Sequence, residues 1–240
     1  SSDGISSATD TTGSGLFDND GFVQKGFQSG LDIDISEKLT FSPFFRFENF
    51  DGDYDADAFT DAPNKLVMKL VNPGAAVAYK SGDLLARVNY SFNLSDREFR
   101  SEFGVSPFKG KLHNVEIYLS KPLNQYMQLI GGVNYQHYKM ADENADPKNP
   151  HYSLFSPFAT FILKGMEGFY LETGYRLNSH STYGTNSTYN ISPAYWIANR
   201  LKVFASFNTG FKSPTLSQLY GPFGANDKLK PQVSQSTELG

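Results

Sequence analysis

The stretch LLARVNYSFNL, residues 84–94, decides the fold of this chain. From Ala86 onward apolar and polar side chains alternate at every position. In an extended chain, successive side chains point to opposite faces, so the alternation sorts them into two sets. One face carries Ala86, Val88, Tyr90, Phe92 and Leu94, and the other carries Arg87, Asn89, Ser91 and Asn93. This pattern predicts a β-strand with one apolar and one polar face.

The same alternation recurs along most of the chain and predicts about ten strands and the start of another. The segments that carry it lie near residues 27–35, 39–48, 65–80, 84–94, 114–120, 127–136, 157–163, 169–178, 191–197 and 201–208. Short turns separate them near 36–38, 81–83, 121–124, 165–168 and 198–200. Long polar loops are predicted near 51–64, 95–112, 141–152, 178–188 and 213–234. A meander with short turns at one end and long loops at the other is typical of outer-membrane barrels.

The predicted fold class is all-β, an antiparallel up-and-down transmembrane β-barrel segment. A soluble β-sandwich also alternates apolar and polar residues, but its strands are usually about 5–6 residues long. Several segments here alternate for longer, and their apolar faces hold almost no charge. Charged side chains lie on the opposite faces, where a wet lumen would receive them. The polar positions predicted to face the lumen are Arg46, Glu48, Arg87, Glu116, Gln128, Asn134, Glu172 and Arg176.

Composition narrows the class of protein further. The chain has 21 Phe, 14 Tyr and 1 Trp, an aromatic share that favours strands. No apolar stretch of about 18 residues predicts a transmembrane helix. The formal net charge of −4 argues against binding to nucleic acid, which needs a basic face. The absence of cysteine excludes disulfides and thiolate metal sites within the chain.

The length of the chain bears on the size of the barrel. Ten strands alone would close a narrow barrel, whereas wide outer-membrane transporters have about 22 strands and a plug. We therefore expect the ten strands to belong to a larger barrel of about 22 strands. Both ends of the chain look cut, because Ser1 opens a polar stretch without a secretion signal and Glu238-Leu239-Gly240 reads as the opening of a strand. We therefore expect residues 1–240 to be a partial barrel domain without its plug and its last strands.

The C-terminal part carries a compound motif. Gly210-Phe211-Lys212-Ser213-Pro214 is followed by Leu219-Tyr220, by Leu229-Lys230-Pro231-Gln232 and by Glu238-Leu239-Gly240. This combination resembles the signature of TonB-dependent outer-membrane receptors. Gln232 departs from it, since the family usually has Glu there. The resemblance implies a bacterial outer-membrane location, contact with membrane lipid, and a TonB complex acting through the plug, which the polar lumen residues would hold.

A second resemblance points to the cobalamin transporters within that family. Asp18-Asn19-Asp20-Gly21-Phe22 and Tyr54-Asp55 are similar to their calcium-binding loops. Carried over by position, the candidate Ca²⁺ ligands are Asp18, Asp20, Asp55 and the backbone of Tyr54, with Asp61 and Asp3 as looser matches. Carboxylates on loops suit calcium, which takes 6–8 oxygen ligands. An EF-hand is excluded because Ala56 occupies the required glycine position. A solvated acidic loop is the alternative interpretation.

The resemblance implies active uptake of cobalamin or a related corrinoid. The alternatives are a TonB-dependent receptor for a siderophore, haem or a glycan, a passive porin, and a soluble β-sandwich adhesin. We do not expect an enzyme, because no nucleophile elbow, phosphate loop or paired-acid motif is present. The four histidines are dispersed and form no ligand pair. His180, at a predicted strand–loop junction, is interpreted as a surface residue, with a position lining the substrate vestibule as the alternative.

Overall fold

The computed structural model describes residues 1–11, 13, 15–142, 145–198, 200–222 and 224–240. Nearly all of its regular structure is one antiparallel sheet of 12 strands. The strands are β1 (Phe22–Gly30), β2 (Ile33–Ser36), β3 (Leu39–Tyr54), β4 (Asn64–Ser81), β5 (Leu84–Ser101), β6 (Gly104–Pro122), β7 (Met127–Ala141), β8 (His151–Met166), β9 (Phe169–His180), β10 (Gly184–Ile197), β11 (Leu201–Lys212) and β12 (Gln232–Leu239). A short helix, α1 (Leu216–Tyr220), precedes β12. Among the described residues, no helix has the length and apolar composition to cross a membrane.

The sheet is an up-and-down meander. Each strand from β3 to β11 pairs with the next one along the chain, while β1 and β2 both pair with β3. The register runs from Phe22 opposite Gly52 to Gly30 opposite Phe44, and then resumes with Ile33 opposite Phe41. The alternating segment near 27–35 is therefore divided between two consecutive strands, the end of β1 and β2, which pair with successive parts of β3. The predicted all-β, antiparallel, up-and-down fold class is confirmed.

Two of the predicted long loops are wrong. β5 continues to Ser101 and β6 begins at Gly104, so most of 95–112 is a paired hairpin. In the same way β9 ends at His180 and β10 begins at Gly184, within the predicted loop at 178–188. In both hairpins the backbone hydrogen bonds continue past the residues that alternate between apolar and polar. Where both faces of a strand meet water, the alternation that reveals a strand disappears although the strand does not.

Long connections remain at 55–63, 142–150 and 213–231. They lie at one end of the sheet, together with the tight turns at 102–103 and 181–183, and we call this the loop end. The opposite, turn end has the short connections that the sequence predicts. Asn199, in the predicted turn at 198–200, lies outside the described residues, as do Glu143, Asn144 and Phe223 in the predicted loops.

The apolar face of the sheet is its more exposed face. One row of Cα partners runs across five strands through Phe41, Val77, Val88, Ile117 and Val133. Of these, Val77, Val88 and Ile117 are 39%, 42% and 44% exposed. A water-soluble protein buries such side chains, whereas a membrane barrel turns them to lipid. We call this the outward face.

The inward face is polar and more buried. Its corresponding row runs through Ala76, Asn89, Glu116, Asn134 and Ser156. Asn134 is 6% exposed and Ser156 is fully buried. The described residues contain no second sheet that covers either face, which is what a sandwich would require. The sheet therefore has an inverted pattern, with polar residues inside and apolar residues outside.

Candidate functional site

Acidic side chains from two distant segments meet at the loop end. Asp18 and Asp20 lie just before β1, and Asp55 follows β3. One carboxylate oxygen of each lies within 4.8 Å of the others. Asp61 joins them from the same loop as Asp55, because its Oδ1 accepts a hydrogen bond of 3.2 Å from the backbone N–H of Asp18. Four of the candidate ligands named from the sequence are thus brought together.

Asp55 is the anchor of this cluster and is only 8% exposed. Its Oδ2 accepts hydrogen bonds from the Ser6 and Ser7 hydroxyls, at 3.2 and 3.0 Å, and from the Ala8 N–H, at 2.6 Å. Its Oδ1 accepts one from the Ala62 N–H at 3.1 Å. The segment before β1 is therefore fastened to the loop after β3 through one carboxylate.

These contacts act on the protonation of Asp55. Burial alone would raise the pKa of the carboxyl group, but the N–H groups of Ala62 and Ala8 and the Ser7 hydroxyl favour the anion and lower the pKa to about 2. Because the pKa of Asp55 is lower in the folded than in the unfolded chain, its carboxylate stabilises the loop at pH values above 3.8, the ordinary pKa. This stabilisation is lost as the pH falls toward about 2. Near neutral pH the residue is an anion.

Asp18 experiences the opposite effect. The charge of Asp61 raises the pKa of Asp18, together with smaller contributions from desolvation and from Asp20 and Asp55. Like charges held together in this way repel one another until a cation neutralises them. The donor set consists only of hard oxygens on loop segments, which fits a calcium ion better than a transition metal.

The remaining acidic residues of the region have other partners. Asp51 and Asp53 are bound by Lys65 at 3.2 and 3.4 Å, and Asp57 caps a local turn by accepting the Phe59 N–H at 2.8 Å. Tyr54 directly precedes Asp55, so its backbone adjoins the cluster. Asp3 is exposed, and its carboxylate is not among the three that converge.

Gly4 offers a test of how the segment before β1 is held. Its φ is +67°, and a Cβ built on it would lie 1.9 Å from the backbone oxygen of Asp20. Gly4→Ala is therefore expected to displace this segment and to break the 2.5 Å bond from the Ser7 N–H to Asp20. Faster hydrogen exchange at Ser7 would show it.

The matched control is Gly13→Ala. Gly13 has the same φ of +67°, but a Cβ there would meet nothing within 4 Å. Both variants carry the same backbone strain, so only the close approach at Gly4 differs between them. Equal exchange at Ser7 in the two variants would contradict this packing.

The lumen residues predicted from the sequence lie on the inward face. Arg46 pairs with Glu48 at 2.8 Å, and Asn89 donates to Glu116 at 3.3 Å. Further contacts are Arg87 to Asn89 (2.8 Å), Gln128 to Ser120 (2.8 Å), Asn134 to Asn114 (2.9 Å), and Arg176 over the Phe158 ring (4.8 Å). Glu172 lies four residues before Arg176 on β9, so both side chains lie on this face. Binding of a plug by these residues stays a prediction.

A cavity of about 630 Å³ opens between this face and α1. The helix buries Leu216 and Leu219, and Leu216 packs with Met140, Ala145 and Tyr152. Thr215 begins the helix with a capping box that it forms with Gln218, which satisfies backbone N–H groups of the first turn and so stabilises a short helix. The sequence did not reveal this cavity, because the alternation of β7 and β8 gives no information on how loop 213–231 folds.

The interpretation of His180 as a surface residue is wrong. The side chain is 3% exposed, and its ring lies 4.5 Å from that of Tyr152 and 4.9 Å from that of Tyr183. Its Nδ1 accepts from the Thr182 N–H at 3.1 Å, whereas Nε2 has no hydrogen-bond partner among the described residues. Tyr152, which packs against the ring, belongs to β8, and the sequence around His180 gives no information on that contact.

Comparisons with known proteins agree with this geometry. A family model described as "TonB dependent receptor-like, beta-barrel" matches residues 2–240. The vitamin B12 transporter BtuB of Photobacterium profundum is 25% identical over 226 residues, covering 92% of this chain and 36% of that protein. Its counterpart from Vibrio cholerae is 31% identical over 117 residues, covering 49% of this chain and 19% of that protein.

Solved structures show the same fold. A mutant of the ferric enterobactin receptor PfeA of Pseudomonas aeruginosa superposes with a TM-score of 0.79 at 16% identity, covering 98% of this chain and 42% of that one. The siderophore receptor PirA of the same organism gives 0.78 at 16% identity, with 91% and 43% covered. The chain thus spans less than half the length of the relatives it matches.

Proposed function

Since the chain belongs to the TonB-dependent receptor β-barrel family, whose members reside in the outer membrane, we propose that the protein takes up cobalamin or a related corrinoid. The family consists of receptors and transporters rather than enzymes. Uptake would require a plug and a TonB complex working on this barrel segment. The likeness to siderophore receptors concerns the fold alone, because the identities are 16%.

The observation that carries the proposal is the meeting of Asp18, Asp20 and Asp55 from two separate segments. Relatives of this chain are vitamin B12 transporters, and the resemblance at these positions implies bound calcium. A bound Ca²⁺ would neutralise the mutual repulsion of the carboxylates and tie the two segments together. Loops that are ordered beforehand lose less entropy when a ligand binds. The expected consequence is tighter cobalamin binding in the presence of calcium.

The test uses the full-length protein purified from outer membranes. We expect cyanocobalamin to bind more tightly with calcium than after EGTA treatment. Asp18→Asn should abolish this difference. Because it removes a charge that repels Asp61, it should also make the calcium-free loops exchange hydrogen more slowly, which a merely solvated acidic loop would not show.

Asp53→Asn is the control, since Asp53 lies on the same hairpin but is bound by Lys65 outside the cluster. It should leave the calcium dependence intact. Binding of a ferric siderophore without any binding of cyanocobalamin would contradict the corrinoid assignment. Cyanocobalamin binding of equal affinity with and without calcium would agree with the proposed substrate and contradict the proposed metal site.

A further inference from the structure

The hydrogen bonds of the buried His180 fix its protonation state. His180 is the last residue of β9, in the part of the β9–β10 hairpin whose two faces meet water. Its Nδ1 accepts from two backbone N–H groups of the following turn, those of Thr182 at 3.1 Å and Tyr183 at 3.4 Å. A ring nitrogen that accepts carries no proton, so the imidazole is neutral and its proton is on Nε2.

A protonated His180 does not fit this turn. An imidazolium donates from both nitrogens, so Nδ1 would direct a proton at two N–H groups that are themselves donors. Turning the ring over does not help, because Nε2 would then direct its own proton at the same groups. The turn at 181–183 must therefore change when the ring takes up a proton.

The two tyrosines that pack on His180 are also the two that hold loop 213–231. Tyr152 lies on one side of the ring, packs with Leu216 of α1 and shares a side-chain hydrogen bond with Ser213. Tyr183 lies on the other side, and its hydroxyl donates to the Leu229 carbonyl at 3.1 Å. The start and the end of the loop are thus fastened on either side of one histidine.

The side chains around the ring carry no negative charge near neutral pH. Besides Tyr152 from β8 and Tyr183 from the turn, the aromatic group contains Tyr138 of β7, which stacks on Tyr152 at 4.6 Å. Tyr220 of α1 packs against the same cluster. Among the described residues no carboxylate pairs with the ring, whose Nε2 has no hydrogen-bond partner. A cation formed here would have no counter-charge.

The charged groups of the neighbouring loops lie elsewhere. On loop 213–231, Asp227, Lys228 and Lys230 are exposed. From the loop after β7, Asp142 lines a different pocket together with Arg97. Two lysines beside the point where Tyr183 holds the loop would repel an imidazolium rather than stabilise it.

The pH range follows from the burial of the ring. Burial lowers the pKa of His180 from its ordinary value of 6.5. The closed turn therefore binds a proton more weakly than an open turn in water does. By linkage, the closed state has its full stability above the ordinary pKa and loses stability as the pH falls below it.

We propose that His180 is a pH-sensitive latch, which holds loop 213–231 on the inward face while it is neutral and releases the loop when it is protonated. Release begins at the turn, where Tyr183 moves away and its bond to Leu229 breaks. Tyr152 loses its packing partner on the same side. Because Tyr152, Thr215 and Leu216 line the cavity of about 630 Å³, the cavity opens when the loop leaves. The latch does not depend on which substrate the protein carries.

The test measures the distance between loop and barrel in the full-length protein reconstituted in lipid. Lys228→Cys on the loop and Lys69→Cys on β4, both at exposed positions, carry nitroxide labels in a protein without other cysteines. Pulsed EPR gives the distribution of their separation at about pH 7.5 and at about pH 5, on either side of the ordinary histidine pKa. We expect one narrow distance at the higher pH and its loss to a broad set of distances at the lower pH.

His180→Asn separates the charge from the hydrogen bond. The side-chain oxygen of Asn can accept from the backbone N–H two residues further on, and it does not titrate. This variant should keep the narrow distance at both pH values. His151→Gln is the control, since His151 is exposed at the start of β8, and it should respond to pH like the wild type.

Tyr183→Phe tests the fastening itself, because it removes only the hydroxyl that donates to Leu229. Its distances should be broad already at the higher pH. A change of gel migration on heating shows that the barrel of each variant is folded. The proposal is overturned by a narrow wild-type distribution at the lower pH, by a broad one in His180→Asn at that pH, by a lost response in His151→Gln, or by a narrow one in Tyr183→Phe.

Discussion

Val88→Arg is expected to destabilise the barrel by about 2–4 kcal/mol, the cost of a cation on the lipid face near the middle of the membrane. Val88 lies within the apolar row between Val77 and Ile117 and is 42% exposed. The free energy of unfolding from lipid vesicles, measured by urea titration of the full-length protein, gives the result.

The control lies one residue away on the opposite face. Asn89 is the Cα partner of Glu116 and donates a hydrogen bond to it. Asn89→Arg should cost less stability than Val88→Arg, because the new cation lies in a polar lumen between the Glu116 carboxylate and Arg87, whose Nε donates to Asn89 at 2.8 Å. If the two variants lost the same stability, neither face would be the lipid face, and the orientation of the sheet would be wrong.

Asp55→Ala is expected to release the segment before β1 from the loop after β3. The substitution leaves the N–H groups of Ala8 and Ala62 and the Ser7 hydroxyl without the carboxylate that accepts from them. Each donor that stays buried without a partner costs about 1–3 kcal/mol, so the loop is expected to open instead. Hydrogen exchange at Ala8 and Ala62 should accelerate strongly, while the strands of the barrel keep their protection.

Asp57→Ala is the comparison within the same loop. Asp57 accepts only local bonds, from the Phe59 N–H and the Thr60 hydroxyl. Its loss should loosen one turn and leave Ala8 protected. Ala8 exchange that is unchanged in Asp55→Ala would contradict the role of this carboxylate as the link between the two segments.

The faces of the sheet could be predicted from the sequence because side-chain alternation is local. The alternation around Val88 and Asn89 is enough to assign them to opposite faces, with no information on any other strand. The hairpin of β5 and β6 shows where this fails. Beyond Leu94 the residues Asp96, Arg97 and Glu98 are polar on both faces, so a strand in water looks like a loop.

The candidate site was predictable only in part. Asp18, Asp20 and Asp55 could be named by their resemblance to a known pattern, but the residues that hold Asp55 could not. Ser6 and Ser7 lie about 50 positions away in a polar stretch whose composition indicates no structure. The folding of α1 into the lumen likewise depends on its contact with Met140 and Tyr152, which no local pattern encodes.

The most direct test of the central claim is a scan of single cysteines along β5, from Ala86 to Asn93, in a chain that contains no cysteine of its own. Each cysteine carries a nitroxide spin label in the protein reconstituted in lipid. We expect labels at the even positions to collide with oxygen dissolved in the bilayer, and labels at the odd positions not to do so. An inverted phase, or labels at Val88 and Tyr90 that collide with neither oxygen nor a water-soluble nickel complex, would mean that protein covers the apolar face.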